Sequence, residues 1–299
     1  MTVASPPHTR RRRPRWNSAW LFMAPSLILI AVFILEPILQ TGWMSLHEWT
    51  IGEDSHKWLG VGNYDRLFGD DRFWNALRVT AEYTVAVTVL QVGLAVSLAV
   101  RLRRTTWFTT FIRGAFFFPA VASLAVIGVV WHFLLDPQIG LVDAWLGALH
   151  LGSYDFLQSE ALALPTLIAV GVWKYLGFSM IVLLAGLQEI PAHLYEAATL
   201  DGAGRLGRLR HVTLPGLRQT LLFVIVIATI NGLQLFDVVY TMTGGGPVFH
   251  TESIVMYLYQ QGFVYFDLGY ASAIAWVLFL IILAVSAVQL RVLRVHDVD

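Results

Sequence analysis

The sequence predicts an all-α integral membrane protein with six transmembrane helices, and three observations carry that reading. First, 57% of the 299 residues are hydrophobic and 13% are charged, with a mean hydropathy of +0.64. A soluble domain carries about 25% charged residues, so this chain has roughly half the usual solubilising charge. Second, six stretches have the roughly 20 apolar residues that a helical span needs: 19–43, 77–100, 109–134, 162–187, 219–242 and 270–293. Third, the basic residues sort onto alternate connections between those stretches, as they do in multi-spanning proteins.

The same composition excludes intrinsic disorder and coiled coil. A net charge of zero and the lack of a basic surplus argue against nucleic acid as a partner. There is no cysteine, hence no disulfide, thiolate metal site or thiol nucleophile. A membrane β-barrel needs alternating segments of about ten residues, whereas Leu221–Ile227 and Ala273–Val285 are apolar on every side.

Stretch one follows Arg10–Arg13 and Arg15 and has the outline of a signal peptide. No small-x-small cleavage site follows it, and the run meets Glu36–Pro37 and continues to Leu46, so it reads as a retained first helix. Between stretches three and four, segment 136–161 holds either a short interfacial helix around Leu141–Leu149, with Trp145 at headgroup level, or a compact loop over the helix ends. Stretches four and five flank a long polar connection, 188–218.

The charges then orient the bundle. The N-terminal tail, the second connection (Arg101, Arg103, Arg104, Arg113), the fourth (Arg205, Arg208, Arg210, Arg218) and the C-terminal end (Arg291, Arg294) hold 15 of the 20 basic residues. The opposite connections hold Lys57, Arg66 and Arg72 in 46–75, and only acids, with no Lys or Arg, in 136–161 and 243–269. Both termini are expected to be cytoplasmic. The organisation is a cytoplasmic basic tail (1–18), one transmembrane domain (19–294) and a short cytoplasmic tail (295–299).

Several kinds of chemistry are missing. Neither lysine, Lys57 or Lys174, follows a glycine, so the chain has no P-loop; there is no H-E-x-x-H and no G-x-S-x-G. Gly202, Gly204 and Gly207 spell G-x-G-x-x-G, but a helical stretch precedes them and the residues near 222–227 are apolar. A dinucleotide site needs a strand before the motif and an acid about 20 residues after it. Ionisable residues singled out within the apolar stretches are few: Glu36, Glu82 and Asp237 lie toward the ends of theirs, and Lys174 alone is in mid-stretch, in 162–187. Ion-coupled carriers place such groups in mid-span, so a proton-coupled secondary carrier is the less favoured class. The chain reads as a pathway powered by something else.

The connection 188–218 is the most structured of the polar regions. Pro191 opens a helix, 194–200 are helix formers apart from Thr199, and Gly202 after Asp201 stops it. A second short helix, about 205–212, leads to Pro215 at the entry of stretch five. Two short helices at a steep angle make a knob, on which Ala197 and Ala198 let a partner approach the backbone. The plainer alternative is an amphipathic interface helix whose arginines meet anionic lipid.

The spacing Glu196-Ala197-Ala198, x3, Gly202, x9, Val212, x, Leu214-Pro215 resembles the EAA loop of ABC importer permeases, E-A-A-x3-G-x9-I-x-L-P. Val212 stands for the usual Ile; Gly207 and Leu209 replace the Gln and Phe that often follow the glycine. Asp201-Gly202-Ala203-Gly204 is similar to the carbohydrate branch, the maltose and glycerol-3-phosphate type. So are Gly62-Asn63-Tyr64, Asp136-Pro137-Gln138, Trp173-Lys174, Phe236-Asp237 with Tyr240, and Thr243-Gly244-Gly245-Gly246-Pro247. The likeness runs from about residue 20 to 290.

This resemblance implies the type I permease (MetI-like) fold and a non-catalytic subunit forming half of a translocation pathway in a bacterial plasma membrane. It implies a second homologous permease, two ATPase subunits that bind ATP and Mg, and an extracytoplasmic substrate-binding protein or lipoprotein. No metal or cofactor is implied for this chain. Glu196, Ala197, Ala198, Asp201, Gly202, Leu214 and Pro215 would couple it to the ATPase. The implied cargo is a di- or oligosaccharide such as trehalose or maltodextrin, or, alternatively, glycerol-3-phosphate or a glycerophosphodiester.

Counting ungapped against maltose-type permeases places sugar-contacting positions at Gly171, Lys174, Tyr175, Ala228, Gly232 and Leu235, most of which carry different side chains here. The polar groups nearby are Asn231, Gln234 and Asp237, three apart and so on one broad helix face. Asn and Gln both donate to and accept from sugar hydroxyls, or they bond neighbouring helices. Trp173 and Tyr175 offer ring faces. Lys174 is read as a pore-side or interfacial cation in preference to a lipid-facing one. Gly244, Gly245, Gly246 and Pro247 form either the outer mouth, where a delivery protein docks, or a flexible loop.

Overall fold

A computed structural model describes residues 16–50, 52 and 56–294. The tail arginines at 10–13 and 15, and residues 295–299, lie outside the described residues. Among the described residues the regular structure is helical but for one two-stranded hairpin, β1 (His47–Glu48) paired antiparallel with β2 (Lys57–Trp58), and an isolated bridge between Thr50 and Asp267. Among the described residues, four helical stretches are each long and apolar enough to cross a membrane, and two bent pairs bring the number to six if each pair counts as one span.

The first stretch runs as α1 (Trp16–Ile30), a π-type turn (Ala31–Leu35) and α2 (Glu36–Met44). Nothing in its apolar window is buried within the chain, and Phe22, Phe33 and Leu39 project outward. After the hairpin, α3 (Gly62–Phe68) leads to α4 (Asp71–Arg101), which starts where the Asp70 carboxylate caps the N–H groups of Arg72 and Phe73.

The third apolar stretch departs from the single helix expected over 109–134. It is two helices, α5 (Trp107–Val121) and α6 (Leu124–Leu134), bent by 101°. Pro119 cannot donate to the helix ladder, and Ala122 and Ser123 are extended. Such a break in lipid needs other donors for the freed carbonyls. Lys174 supplies them: its Nζ donates to the carbonyls of Pro119 (2.7 Å) and Ala120 (2.9 Å), and also to Ala122.

Beyond α6 the Asp136 carboxylate accepts the N–H groups of Gln138 and Ile139, which hold it below the ordinary carboxylate range. A short helix follows, α7 (Leu141–Ala148), with Trp145 exposed, and then α8 (Ala163–Glu189). The knob comprises α9 (Ala192–Leu200), α10 (Arg205–Arg208), a π-type turn (Leu209–Thr213) and α11 (Leu214–Gly216). Helix α12 (Arg218–Leu233) leaves it at 74°.

The fifth stretch also departs from one helix over 219–242. It ends at Leu233, loses helical form through Gln234–Leu235–Phe236, and resumes toward a π-type turn at Val239–Thr243. Then come α13 (Ile254–Tyr259), another π-type turn (Gln260–Val264) and α14 (Leu268–Arg294).

Helices α4 and α8 form the centre, with α5 against α8 and α12 against α4. Two glycines allow the approach. A Cβ on Gly177 would lie 1.9 Å from the carbonyl oxygen of Phe116, and one on Gly171 would lie 2.1 Å from the Tyr83 hydroxyl. Small residues bring helix backbones together in this way in lipid. One apolar cluster (Met180, Leu183, Leu187, Leu217) fills the knob end, and another (Val87, Leu167, Val170, Val239) the opposite end.

Away from the knob, polar residues tie the hairpin side to the last third of the chain. Arg72 grips the fully buried Glu252 through two hydrogen bonds (2.8 and 2.6 Å) and also reaches Gln260. Asp70 accepts the hydroxyls of Tyr257 and of Tyr270 (2.6 Å). Partial burial pushes the Asp70 carboxyl up, but these bonds and those from two backbone N–H groups outweigh it and hold the group below its usual range. Burial and the bond to Asp70 push Tyr257 up to about 12. Because the folded Asp70 pKa is depressed, its stabilisation is present above the unfolded value of about 3.9 and is lost as pH falls through the folded value. Asp70→Asn is expected to lower unfolding free energy by about 1–3 kcal/mol at neutral pH, and to flatten the acid limb of a thermal-stability profile in detergent.

Candidate functional site

The knob presents a small exposed face on a rigid base. Helix α9 ends in paired bonds: Ala203 N–H to Ala198 O (2.8 Å) and Gly202 N–H to Thr199 O (3.1 Å), with Gly202 at φ +77°. That is the Schellman arrangement, which favours glycine because any Cβ is strained there. Glu196 and Ala197 are exposed and Ala198 is half-buried; Asp201, Leu214 and Pro215 are exposed as well. The sequence reading overlooked Leu200 (89% exposed) and Leu206 (76%), two leucines that stand out from the knob in water. They carry no periodic signal, so only the fold reveals them.

The base is tied to the bundle. Tyr195 Oη and Thr213 Oγ1 share a hydrogen bond of 3.2 Å across the two arms of the knob. Ile190 and Leu217 are buried in the same apolar cluster as Leu183 and Leu187 of α8 and Val224 of α12, with Val212 packed against it. Tyr195 of α9 packs against this cluster, so α9, α8 and α12 share one apolar base.

Farther along these two helices lies a polar cavity of about 160 Å³, lined by Tyr83, Leu124, Tyr175, Asn231, Gln234, Phe236 and Asp237 among others. The break in the fifth stretch builds it, because the chain unwinds at Gln234–Phe236 and α6 begins beside it at Leu124. Asn231, Gln234 and Asp237 thus share a cavity, although they do not share one continuous helix face. Among the described residues their side chains make no hydrogen bond, so the bonds to neighbouring helices that the sequence allowed are not formed. Phe236 stacks on Tyr240 (5.4 Å between ring centres), and both approach Tyr259.

Tyr175 lines this cavity, but Trp173 and Lys174 do not. Trp173 meets Trp131 edge to face (5.6 Å) and borders a separate apolar cavity of about 460 Å³ with Leu135, Val142 and Phe156. Lys174 is 4% exposed and spends its donors on the α5 carbonyls. Tyr83, at the cavity, was not singled out from the sequence; a lone tyrosine amid the apolar residues of stretch two is the signal that could have found it.

The turn Thr243–Pro247 is well tied. Thr243 Oγ1 and Thr251 Oγ1 lie 2.8 Å apart, Thr251 also bonds Gly246 O, and the Gly246–Pro247 peptide is cis. Gly244 and Gly245 have φ of +61° and +92°.

The knob is thus joined to two helices that run to a polar cavity, and comparison with known proteins gives the family. Residues 91–297 match the family model of the binding-protein-dependent transport system inner membrane component. The chain belongs to this family. The permease is 34% identical over 277 residues to the probable ABC transporter permease protein YurN of Bacillus subtilis, covering 91% of this chain and 94% of the other. It is 31% identical to the sulfoquinovosyl glycerol transport system permease protein SmoG of Agrobacterium fabrum, with 96% of each chain covered. It is 31% identical to the trehalose/maltose transport system permease protein MalF of Thermococcus litoralis, with 92% and 93% covered. Its fold is that of a chain in the crystal structure of the bacterial alginate ABC transporter in complex with an alginate pentasaccharide-bound periplasmic protein. The TM-score there is 0.82 at 21% identity, over 94% of this chain and 95% of that one. The permease is thus an all-helical, multi-pass membrane protein of a transport family. The matched stretch holds the whole knob and most of the cavity wall.

Proposed function

We propose that this permease is one of two homologous halves of the translocation pathway in an ATP-driven, binding-protein-dependent sugar importer. In this reading it crosses the membrane six times, with each bent pair as one span, and both termini are cytoplasmic. ATP and Mg are held by two ATPase subunits, which receive the knob through Glu196, Ala197, Ala198 and the exposed Leu200. Closure of those subunits pulls on α9, and the shared apolar base passes the movement to α8 and α12. The cavity then opens toward a substrate-binding protein docked near Gly244–Pro247, and hydrolysis returns it to the inward-facing state.

One observation carries the choice of cargo: Asn231, Gln234 and Asp237 are unpaired in a cavity with ring faces at hand. The amides of Asn231 and Gln234 both donate to and accept from sugar hydroxyls, the Asp237 carboxylate accepts from them, and a pocket built to bond hydroxyls rejects ligands that lack them. The cavity is smaller than the ~300–1,000 Å³ typical of whole ligand sites, which suits a half-site completed by the second subunit. Glycerol-3-phosphate and glycerophosphodiesters fit less well, since Lys174 is committed to backbone carbonyls and the charge on the cavity wall is that of Asp237. The sequence relatives named for trehalose and maltose and for sulfoquinovosyl glycerol support a carbohydrate cargo.

Asn231→Ala and Gln234→Ala, each in the assembled complex in liposomes, test this with uptake of a panel of labelled oligosaccharides. Each is expected to raise the half-saturating substrate concentration about tenfold, the equivalent of one or two lost hydrogen bonds, while basal ATP hydrolysis stays as in the parent. Unchanged affinity and selectivity in both variants would remove the cavity as the sugar site.

A further inference from the structure

A further pocket lies where the knob meets the bundle, beside the apolar base and apart from the polar cavity. It has a volume of about 240 Å³ and is lined by Val100, Leu187, Leu209, Tyr195 and Thr213, with Arg103, Arg205 and Arg208 around it. Among the described residues, none of these three arginines pairs with an acid. Three arginines that line one hollow repel one another unless an anion joins them.

The arrangement is built and held. The Arg103 guanidinium rests 4.4 Å above the ring of Tyr195, a cation–π contact that aims it. Its backbone segment is tied by Arg113, which donates to the carbonyls of Leu102 and, at 3.3 Å, of Arg104. Arg208 is steadied by Thr199 Oγ1 at 3.4 Å. Guanidinium groups match phosphate oxygens two at a time.

The apolar part of the pocket indicates where the phosphate comes from. Val100 is in the last turn of α4 and Leu187 near the end of α8, both helices of membrane-crossing length, so the pocket lies at the knob end of two candidate spans. Val100 is 38% exposed there. An apolar floor beneath a cationic rim, at the end of two spans, suits a lipid whose chains stay in the bilayer. The volume is also below that of sites enclosing whole drug-sized ligands, which favours a headgroup over a nucleotide. We propose that this pocket binds the phosphodiester headgroup of an anionic phospholipid, clamped by Arg103, Arg205 and Arg208. The lipid then bridges the 101–106 connection to the coupling knob.

Binding is read without any transport assay, so its failure leaves the importer reading intact. The full chain, delipidated in detergent, is titrated with phosphatidylglycerol, phosphatidylcholine or inorganic phosphate and followed by native mass spectrometry. One phosphatidylglycerol is expected to bind in preference to phosphatidylcholine. The double variant Arg103→Gln/Arg205→Gln is expected to lose about tenfold or more in affinity. Arg101→Gln, whose side chain turns back to Ser97 O, should bind as the parent does, and matching thermal melts confirm that the variants are folded. Equal binding of phosphatidylcholine, or full phosphatidylglycerol affinity in the double variant, would overturn the proposal. Displacement of the lipid by millimolar phosphate would overturn it in favour of a free anion. Loss of the lipid on assembly with the ATPase would overturn it in favour of an acidic protein side chain.

Discussion

Lys174→Met is expected to cost the permease about 3 kcal/mol or more, read as a clear fall in the melting temperature of the purified chain and in the amount recovered from membranes. The bend between α5 and α6 leaves the Pro119 carbonyl with only the Ala122 N–H at 3.3 Å, and one ε-amino group donates to it and to the carbonyls of Ala120 and Ala122. Methionine fills the same space and donates nothing. Each orphaned buried carbonyl costs about 1–3 kcal/mol, and no water is at hand inside the bilayer to replace the lost bonds. Lys174→Gln keeps part of the donation and should recover part of the stability. A methionine variant as stable as the parent would show that the lysine does not staple the bend. Selectivity for sugars should hardly change in the glutamine variant, since Lys174 does not line the cavity.

The second large effect belongs to the knob. In the assembled transporter, Glu196→Lys and Gly202→Val are each expected to reduce uptake more than tenfold while the chain remains folded in the membrane. Glu196 is exposed and carries none of the fold, so a reversed charge there is felt by a docked partner alone. Gly202 sits at φ +77°, where an L-residue costs about 1–2 kcal/mol and a β-branched one more. The valine would open the end of α9 and move the docking face, although its Cβ itself meets nothing within 4 Å. Normal uptake in both variants would disprove docking through this loop. Gly202→Ala should fall between parent and valine, since it brings the strain without the branching.

Much of this molecule was legible in the chain because lipid imposes simple rules. The unbroken apolar runs at 77–100, 162–187 and 270–293 had to be helices, and they are the straight ones, α4, α8 and α14. Runs 109–134 and 219–242 obey the same hydropathy yet are broken. Pro119 was in view for the first, but a proline in a membrane helix can be absorbed. What fixes that bend is Lys174, 55 residues away, and no local pattern reports a donor that distant. The unwinding at Gln234–Phe236 likewise depends on neighbours: Ser253 bonds Leu235 O, and Leu235 and Val238 are buried in the adjoining core.

The same reasoning explains the candidate sites. The shape of the knob was readable because its signals are local, a glycine that stops α9 and a proline at the next helix entry, while the coupling roles of its residues came from the resemblance and not from geometry. The cavity was readable only in part. Tyr175, Asn231, Gln234 and Asp237 converge on it, but through a broken helix. Trp173 and Lys174, neighbours of Tyr175 in sequence, point elsewhere because successive helical residues lie about 100° apart. Leu200, Leu206 and Tyr83 acquire meaning only from where the fold puts them.

The most direct test places this chain, with a second permease and an ATPase pair, in liposomes and follows ATP hydrolysis and sugar uptake together. A sugar-loaded binding protein added outside should stimulate hydrolysis, uptake should require ATP, and Glu196→Lys should abolish both the stimulation and the uptake. Uptake driven by a pH gradient in liposomes that contain no ATPase would contradict the account and make the chain a self-powered carrier.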